Sequence, residues 1–271
     1  MQPVARTASV SAGVSRDPQR WIRGESLVRS VEPALRLFCL PYAGGGASIF
    51  RAWSRLMPPQ IEVRAIQLPG RENRIDEPAL RRFDEACALL ADMVVDMLDR
   101  PFAIFGHSMG ALLAYGLALE LAARGLTPPK LLIVSARRAP HMPSGRPEVH
   151  DKPETEFLKY LRELGGTPPE VLENRELLEL MMPLLRADFA LNASLKSVVP
   201  PARVACPMAA FGAVDDPEVP REAIEAWRAT TSGAFSLKLF TGGHFFLGTD
   251  RAAVIAALTS LLTSLSVRSV A

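Results

Sequence analysis

One serine lies in a sequence context that could make it a nucleophile. The segment Gly106-His107-Ser108-Met109-Gly110 has the pattern G-x-S-x-G, and it separates an apolar run from a helix-forming stretch. Between a strand and a helix this pattern forms a nucleophile elbow, a sharp turn that exposes the serine hydroxyl above the end of a sheet. Glycines flank the serine because side chains there would collide with neighbouring backbone. An ordinary helix N-cap serine is the alternative, but the strand–turn–helix context favours a nucleophile.

A serine hydroxyl needs a general base, and the chain contains four histidines, His107, His141, His150 and His244. His244 follows the last apolar run on a glycine-bearing loop before the last helical segment, which is where such a fold carries its base. His107 is adjacent to Ser108, so we expect its side chain to point away from the hydroxyl and to support the turn. We expect His141 and His150, in a turn-rich segment, at the surface or facing substrate. His244 is therefore the candidate base.

A third group must orient the imidazole and stabilise its charged form. The chain order Ser…Asp…His predicts an acid between residues 108 and 244, on a loop after a strand. Asp215 and Asp216 directly follow an apolar run, whereas after the preceding run no acid occurs until Glu148. An aspartate before a proline is also common in turns and could merely cap the next helix. Chemistry alone leaves Asp215 and Asp216 as alternatives.

The tetrahedral intermediate of acyl transfer needs N–H donors aimed at its oxyanion. One donor is expected to be the amide of Met109, the residue after the nucleophile. The second is expected from the loop after the first core strand, where Ala43 precedes three glycines. A glycine-rich loop can also bind phosphate, but this one lacks the Lys-[Ser/Thr] ending of a P-loop and the spacing of G-x-G-x-x-G. Ala43 is therefore the second candidate donor.

The elements that position these residues follow from the alternation of apolar runs with helical patterns. The runs are continuous, which is typical of parallel strands covered on both faces, and they predict strands at 35–40, 63–68, 102–105, 131–135, 208–211 and 236–240. Helices are predicted at 80–98, 109–124, 221–230 and 252–265. This order predicts an α/β fold with a mainly parallel central sheet flanked by helices.

Two segments depart from the alternation. Residues 1–33 are rich in Ser, Arg and Ala, which predicts a loosely ordered N-terminal tail, with a transit peptide as the alternative. The interval of roughly 70 residues before the fifth predicted strand contains helical patterns at 154–164 and 169–195, the second expected to break at Pro183. A structureless loop of that length is unusual. We therefore predict one domain over 34–271, with a helical lid inserted at about 137–203.

Composition excludes several classes of protein. Lys and Arg total 31 against 29 Asp and Glu, a net charge of +2, which predicts no nucleic-acid partner. No uninterrupted apolar run is long enough for a membrane span. The three cysteines, Cys39, Cys87 and Cys206, form neither a disulfide framework nor a zinc ligand set, which indicates the reducing cytoplasm.

Four ordered blocks, at 37–45, 67–74, 106–111 and 242–247, resemble the type II thioesterases. These are stand-alone α/β-hydrolase enzymes that accompany polyketide synthases and non-ribosomal peptide synthetases. In that family the acid lies in a segment Phe-Gly-Gly-x-x-Asp-Pro-x-Val, followed by a tryptophan. Residues 211–219 match this segment with Asp216 as the acid and Trp227 beyond it, although Ala213 replaces the second glycine and Asp215 is an additional acid.

The resemblance implies a triad of Ser108, Asp216 and His244, oxyanion donors at Ala43 and Met109, and neither cofactor nor metal. The implied activity is hydrolysis of acyl groups from the phosphopantetheine thiol of acyl or peptidyl carrier domains, which clears misprimed or stalled synthases. A general carboxylesterase or acyltransferase with the same triad is the first alternative. A non-catalytic hydrolase-like protein that binds an acyl ligand or a carrier domain is the second.

Three further expectations concern the surroundings of this site. The 67–74 block could contact the pantetheine arm or support the loop above the elbow, and support is the favoured interpretation. Arg137 and Arg138 could contact an acidic carrier domain or be an ordinary solvated pair. Apolar lid residues are expected to divide between packing and the acyl cavity, and they include Phe157, Leu161, Leu180, Met181, Met182, Leu185, Phe189 and Leu195.

Overall fold

The computed structural model describes residues 13–24, 31–143, 148–167, 169–195 and 199–267. Most of the expected N-terminal tail, namely 1–12 and 25–30, and parts of the expected lid lie outside these ranges.

The elements follow one another in the predicted α/β order. The strands are β1 (Ile22–Arg23), β2 (Leu35–Leu40), β3 (Ile61–Ile66), β4 (Phe102–His107), β5 (Leu131–Ser135), β6 (Met208–Ala213) and β7 (Phe235–Phe240). The helices are α1 (Pro18–Trp21), α2 (Trp53–Leu56), α3 (Phe83–Val94), α4 (Met109–Ala123), α5 (Glu154–Leu164), α6 (Pro169–Glu173), α7 (Arg175–Ser194), α8 (Arg221–Glu225), α9 (Phe246–Thr249) and α10 (Arg251–Val267).

The described residues form one seven-stranded sheet in the order β1-β3-β2-β4-β5-β6-β7. Only β1 runs antiparallel to its neighbour, and the other adjacent pairs are parallel. Every residue of β2, β4, β5 and β6 is buried, because helices cover both faces. The prediction of a mainly parallel α/β fold is confirmed.

Alternate residues of β2 divide the core into two layers. Phe38 and Leu40 belong to the cluster formed with α3 and α4, whereas Leu37 and Cys39 belong to the cluster formed with α2 and α10. This alternation follows from the period of two along a strand. The sheet is thereby held between two apolar layers, and the carboxyl ends of its parallel strands meet along one edge.

Part of the expected tail packs on the core. Trp21 is fully buried, its indole Nε1 donates to the Ser15 carbonyl (2.6 Å), and the Arg74 guanidinium lies 4.2 Å from its ring centroid. Ile22 pairs with Ile66 and extends the sheet at its edge. Within 13–24 the expectation of a loose tail is therefore wrong, because a buried aromatic ring and a strand pair hold this segment.

The lid helices follow the predicted patterns with one shifted break. The second pattern divides at Asn174, whose side-chain Oδ1 accepts from the Leu177 amide (3.1 Å) as the N-cap of α7. Pro183, where the break was expected, lies inside α7. Among helices in the described ranges, none combines the length and apolar character of a bilayer span.

Candidate active site

Ser108 occupies a strained turn between β4 and α4. Its φ of 53° lies in the left-handed region, and its amide donates to the Ser135 carbonyl of the neighbouring strand (2.8 Å). A Cβ on Gly106 would lie 1.9 Å from the Gly110 carbonyl oxygen, and one on Gly110 would lie 2.2 Å from the Leu40 carbonyl oxygen. Backbone is therefore packed against backbone on both sides of Ser108, which is the geometry of a nucleophile elbow.

Three side chains from separate loops form a hydrogen-bonded chain. His244, between β7 and α9, lies with Nε2 3.0 Å from Ser108 Oγ and with Nδ1 2.8 Å from Asp216 Oδ2. The Asp216 side chain is inaccessible to solvent, and its other oxygen accepts from the Glu218 amide (2.8 Å). Asp215 is exposed. The structure thus brings Asp216 rather than Asp215 to the imidazole.

The two predicted oxyanion donors lie on either side of the turn. Met109 is the first residue of α4, so its N–H has no acceptor within the helix. The aligned peptide dipoles of α4 also favour negative charge at this end. Ala43 lines the same cavity as Ser108 and His244, and within the described ranges its amide has no hydrogen-bond acceptor. Both positions suit the stabilisation of a developing oxyanion.

The buried His107 supports the candidate base from behind. Its Nε2 lies 2.9 Å from the His244 carbonyl, which can only accept, so Nε2 carries the proton. Nδ1 then accepts from the Ser135 hydroxyl (2.9 Å). Burial, with a smaller effect of nearby His244, holds the pKa of His107 well below its ordinary value, so the ring is neutral. This contact pattern agrees with the expected supporting role.

Other potential nucleophiles and bases lie away from this chain of side chains. Burial raises the pKa of the Cys39, Cys87 and Cys206 thiols, that of Cys206 to about 11, so they remain protonated and unreactive. His150 lines the cavity but pairs with Asp151 (3.1 Å). Ser108 and His244 are thus the nucleophile and base that the geometry favours.

A cavity of about 330 Å³ separates the sheet edge from the lid. Phe189 and Leu195 line it, together with Tyr160 and Leu164 of α5. Phe157, Leu161 and Leu185 form a buried cluster, and Met181 and Met182 pack against it, as expected for packing residues. Leu180 is exposed and serves neither packing nor the cavity, so the expectation fails at this position. The lining side chains give the cavity an apolar wall, which suits an acyl chain, while Arg137, Arg138, Glu148 and Glu218 make other parts of its lining charged.

Three side chains of the 67–74 block contact the glycine loop that carries Ala43. Gln67 Oε1 accepts from the Ala47 amide (2.6 Å), Arg71 Nη1 donates to the Gly45 carbonyl (3.0 Å), and Glu72 Oε1 accepts from the Ser48 hydroxyl (2.5 Å). These bonds agree with the interpretation that the block supports the loop.

The two arginines after β5 are not a solvated pair. Arg138 donates to the carbonyls of Pro143 and Glu218, both at 2.9 Å, whereas Arg137 is half-buried and lines the cavity. The turn at Ala136, where φ is 48°, places Arg137 at the carboxyl end of β5. The expectation of an ordinary surface pair therefore fails for Arg137.

A nucleophile elbow on a parallel sheet, followed in the chain by an acid and a histidine that contact it in series, defines an α/β-hydrolase. A family model for the thioesterase domain matches residues 35–262. Gramicidin S biosynthesis protein GrsT of Aneurinibacillus migulanus is 43% identical over 215 residues, which span 79% of this chain and 83% of GrsT.

Two solved structures show the same fold at similar identity. The thioesterase RedJ from the prodiginine pathway of Streptomyces coelicolor has a TM-score of 0.79 and 35% identity, covering 88% of this chain and 96% of RedJ. The type II thioesterase BorB from the borrelidin cluster has a TM-score of 0.78 and 34% identity, covering 89% and 96%. The chain belongs to the thioesterase domain family and is one of its type II members.

The neutral state of His107 predicts a stability that depends on pH. Because its pKa is depressed in the folded protein, the unfolded chain takes up a proton first as pH falls below about 6.5. We expect the free energy of unfolding to decrease between pH 7 and pH 5. His107→Gln should be less stable at pH 7, since two buried hydrogen bonds change, but should lose less on acidification.

Urea denaturation at pH 7 and pH 5 measures both effects. His141→Gln is the control, since it removes a histidine outside this network. A His107→Gln protein that loses as much stability on acidification as the wild type would contradict the assignment.

Proposed function

We propose that Ser108, His244 and Asp216 are the catalytic triad with which this thioesterase hydrolyses acyl groups from the phosphopantetheine thiol of carrier domains. The observation that carries the proposal is the continuous chain from Asp216 Oδ2 through both nitrogens of His244 to Ser108 Oγ, at 2.8 and 3.0 Å. A buried carboxylate, an oriented imidazole and a strained serine are the three parts that nucleophilic hydrolysis requires.

The first half of the reaction forms an acyl-serine. Ser108 Oγ attacks the thioester carbonyl carbon while His244 Nε2 takes the hydroxyl proton, and Asp216 stabilises the imidazolium through Nδ1–H. The tetrahedral oxyanion accepts hydrogen bonds from the amides of Ala43 and Met109. The C–S bond then breaks, and the departing sulfur receives the proton from His244.

The second half returns the enzyme to its starting state. His244 removes a proton from a water molecule, whose oxygen attacks the acyl-serine carbonyl. The same two amides hold the second oxyanion, and Ser108 regains its proton as the free acid leaves. Every proton transfer uses groups of this chain or water.

The relatives support a specific setting for this reaction. GrsT is a gramicidin S biosynthesis protein, and RedJ and BorB are thioesterases of natural-product pathways. We propose that the partner is an acyl or peptidyl carrier domain of a polyketide synthase or non-ribosomal peptide synthetase. Hydrolysis of a misprimed or stalled acyl unit would free the carrier thiol. The three free thiols support a cytoplasmic location.

Ser108→Ala tests the function directly. We expect it to abolish release of acetyl or propionyl groups from an acyl carrier protein, because no other hydroxyl is placed against His244 in the described site. Mass spectrometry of the loaded carrier measures the release. Hydrolysis near the wild-type rate would overturn the proposal, and a wild type that prefers p-nitrophenyl esters to carrier thioesters would favour a carboxylesterase.

The adjacent acids provide a matched pair of variants. Asp216→Asn should lower kcat by up to about 10⁴-fold, as loss of the equivalent carboxylate does in a serine protease, since His244 loses its orienting acceptor. Asp215→Asn, one residue away and exposed, should stay near the wild-type rate. Steady-state hydrolysis of a carrier-bound acetyl group measures both, and the reverse ranking would transfer the role to Asp215.

A further inference from the structure

Lid helix α7 contacts the oxyanion loop at the residue next to Ala43. Gly44 has a φ of 77°, and a Cβ there would lie 2.7 Å from Cδ2 of Leu185 on α7. The Gly44 amide donates to Oδ2 of Asp188 (2.7 Å), three residues further along the same helix. Residues three apart lie on one helix face. One face of α7 therefore supplies both an apolar contact and a charged acceptor to this loop.

Arg71 connects Asp188 to the same loop from the other side. Arg71 Nη1 and Nη2 lie 2.9 and 2.8 Å from Asp188 Oδ2 and Oδ1, and the two side chains are only 3% and 1% exposed. Arg71 Nη1 also donates to the Gly45 carbonyl (3.0 Å). A bidentate pair in a buried site has strict geometry, and removal of one partner leaves an uncompensated charge.

The network constrains the backbone that presents the oxyanion donor. The N–H of Gly44 belongs to the same peptide plane as the carbonyl of Ala43, so the bond to Asp188 sets the ψ angle of Ala43. The hydrogen bond from Arg71 to the Gly45 carbonyl restricts the backbone conformation of the next residue in the loop. The direction of the Ala43 amide therefore depends on the position of α7.

We propose that Asp188 is a positioning residue of the oxyanion hole. Through Gly44 and Arg71 it holds the Ala43 amide in the orientation that the tetrahedral intermediate needs, and it does so while α7 lies against the loop. The oxyanion hole is therefore complete only while α7 packs against the loop. This inference rests on the proposed function, because the hole acts only if Ser108 is the nucleophile.

Two double variants separate the effect of the hydrogen-bond acceptor for the Gly44 amide from the effect of the Arg71–Asp188 ion pair. Arg71→Met with Asp188→Leu replaces the buried pair by apolar side chains of similar size, a change that proteins often tolerate. Arg71→Met with Asp188→Asn is equally free of buried charge but returns a carbonyl oxygen for the Gly44 amide. We expect kcat to fall about 100-fold in the Leu variant, as for loss of an oxyanion donor. The Asn variant should recover at least about tenfold of that loss.

Binding of analogues distinguishes positioning from a general structural effect. A trifluoromethyl ketone analogue of acyl-pantetheine forms a tetrahedral adduct with an oxyanion, whereas the corresponding amide analogue resembles the ground state. In the Leu variant the affinity for the ketone should fall about as much as kcat, while KM and the affinity for the amide stay near wild type. Thermal melting monitors folding in each protein.

Arg186→Gln is the matched control on the same helix. Arg186 donates to the His150 carbonyl (2.6 Å) and lies over the Phe157 ring, so its loss disturbs the lid without touching the oxyanion loop. It should leave the ratio of ketone to amide affinity unchanged.

Equal rates in the Leu and Asn double variants, or parallel losses of ketone and amide binding, would overturn the role of Asp188. Neither result bears on the proposed function itself, which an active Ser108→Ala protein would overturn.

A second and independent observation is a guanidinium that lines the cavity and makes no ion-pair contact with the described residues. Arg137 lines the same cavity as Ser108 and His244, its Nε has no hydrogen-bond partner, and in the described part of the chain it forms no ion pair. The other charged and titratable residues that line this cavity are Arg138, Glu148, His150, Tyr160, Glu218 and His244. Desolvation lowers the pKa of Arg137 to about 10, so it remains protonated. The Nε atom itself is shielded from water, and polar groups shielded from water are normally paired.

We infer that Arg137 binds an anionic oxygen group of the substrate. The guanidinium presents planar paired donors that match a carboxylate or a phosphate. The acyl chain could supply a carboxylate at its far end, and the carrier arm could supply its phosphate. In either case the guanidinium gains an ion-pair partner on binding.

Three acyl donors distinguish a carboxylate of the acyl chain from the phosphate of the carrier arm as the anion that Arg137 binds. Acetyl-N-acetylcysteamine carries neither anion, succinyl-N-acetylcysteamine carries a carboxylate, and acetyl-phosphopantetheine carries a phosphate. Arg137→Gln should raise KM at least about tenfold for one of the two anionic donors, and the affected donor identifies the anionic group that Arg137 binds. The KM for acetyl-N-acetylcysteamine should stay near the wild-type value.

A charge-conserving variant and measurements of the melting temperature serve as controls. Arg137→Lys, which keeps the charge, should recover part of the effect on KM. Because the Arg137 guanidinium forms no ion pair with the described residues, its removal should leave the melting temperature equal or higher. A loss of binding in this variant would then not be a loss of folding. Equal changes in KM for all three donors, or no change, would overturn the inference.

Discussion

The close packing of backbone on both sides of Ser108 is the constraint on which the site depends. Gly106 and Gly110 leave no room for a methyl group, and Gly110 lies against the carbonyl at the end of β2. This contact brings the N-terminus of α4 to the strand that leads into the oxyanion loop. The nucleophile and both candidate donors are therefore held by one backbone junction, whose strain at Ser108 is maintained by the buried sheet around it.

Hydrogen bonds connect this junction to the other residues of the candidate site. His107, at the end of β4, donates to the carbonyl of His244, so the strand before the nucleophile also positions the base. Arg71 and Asp188 extend it in the other direction, from the oxyanion loop to the lid. Each connection joins segments far apart in the chain, and each lies in a buried environment where a misplaced polar group is costly. The site and the lid therefore form one hydrogen-bonded unit.

The local signals in the sequence were strongest where backbone geometry demands particular residues. G-x-S-x-G, the glycine loop after the first core strand and the continuous apolar runs led to the elbow, the candidate donors and the parallel sheet. These signals were weaker where tertiary packing determines whether a side chain is buried or where a helix begins. Trp21 lies in a polar stretch, yet it is buried in the core cluster and contacts Arg74, more than 50 residues away. The lid break fell at Asn174 because a capping side chain starts a helix there, whereas Pro183 is accommodated within α7.

Local periodicity and residue types with few alternatives were enough to predict the α/β order of elements, the nucleophile candidate and, through the scarcity of histidine, the candidate base. Residue chemistry left Asp215 and Asp216 open and the family resemblance favoured Asp216, but its contact with His244 is seen only in the folded chain, because neighbouring residues on a loop point in different directions. Tertiary packing alone reveals that Asp188 of the lid faces Gly44 and that Arg137 lines the cavity. A contact between residues 144 positions apart has no local signature in the chain. Burial, which gives such contacts their strength, exists only once the layers have packed.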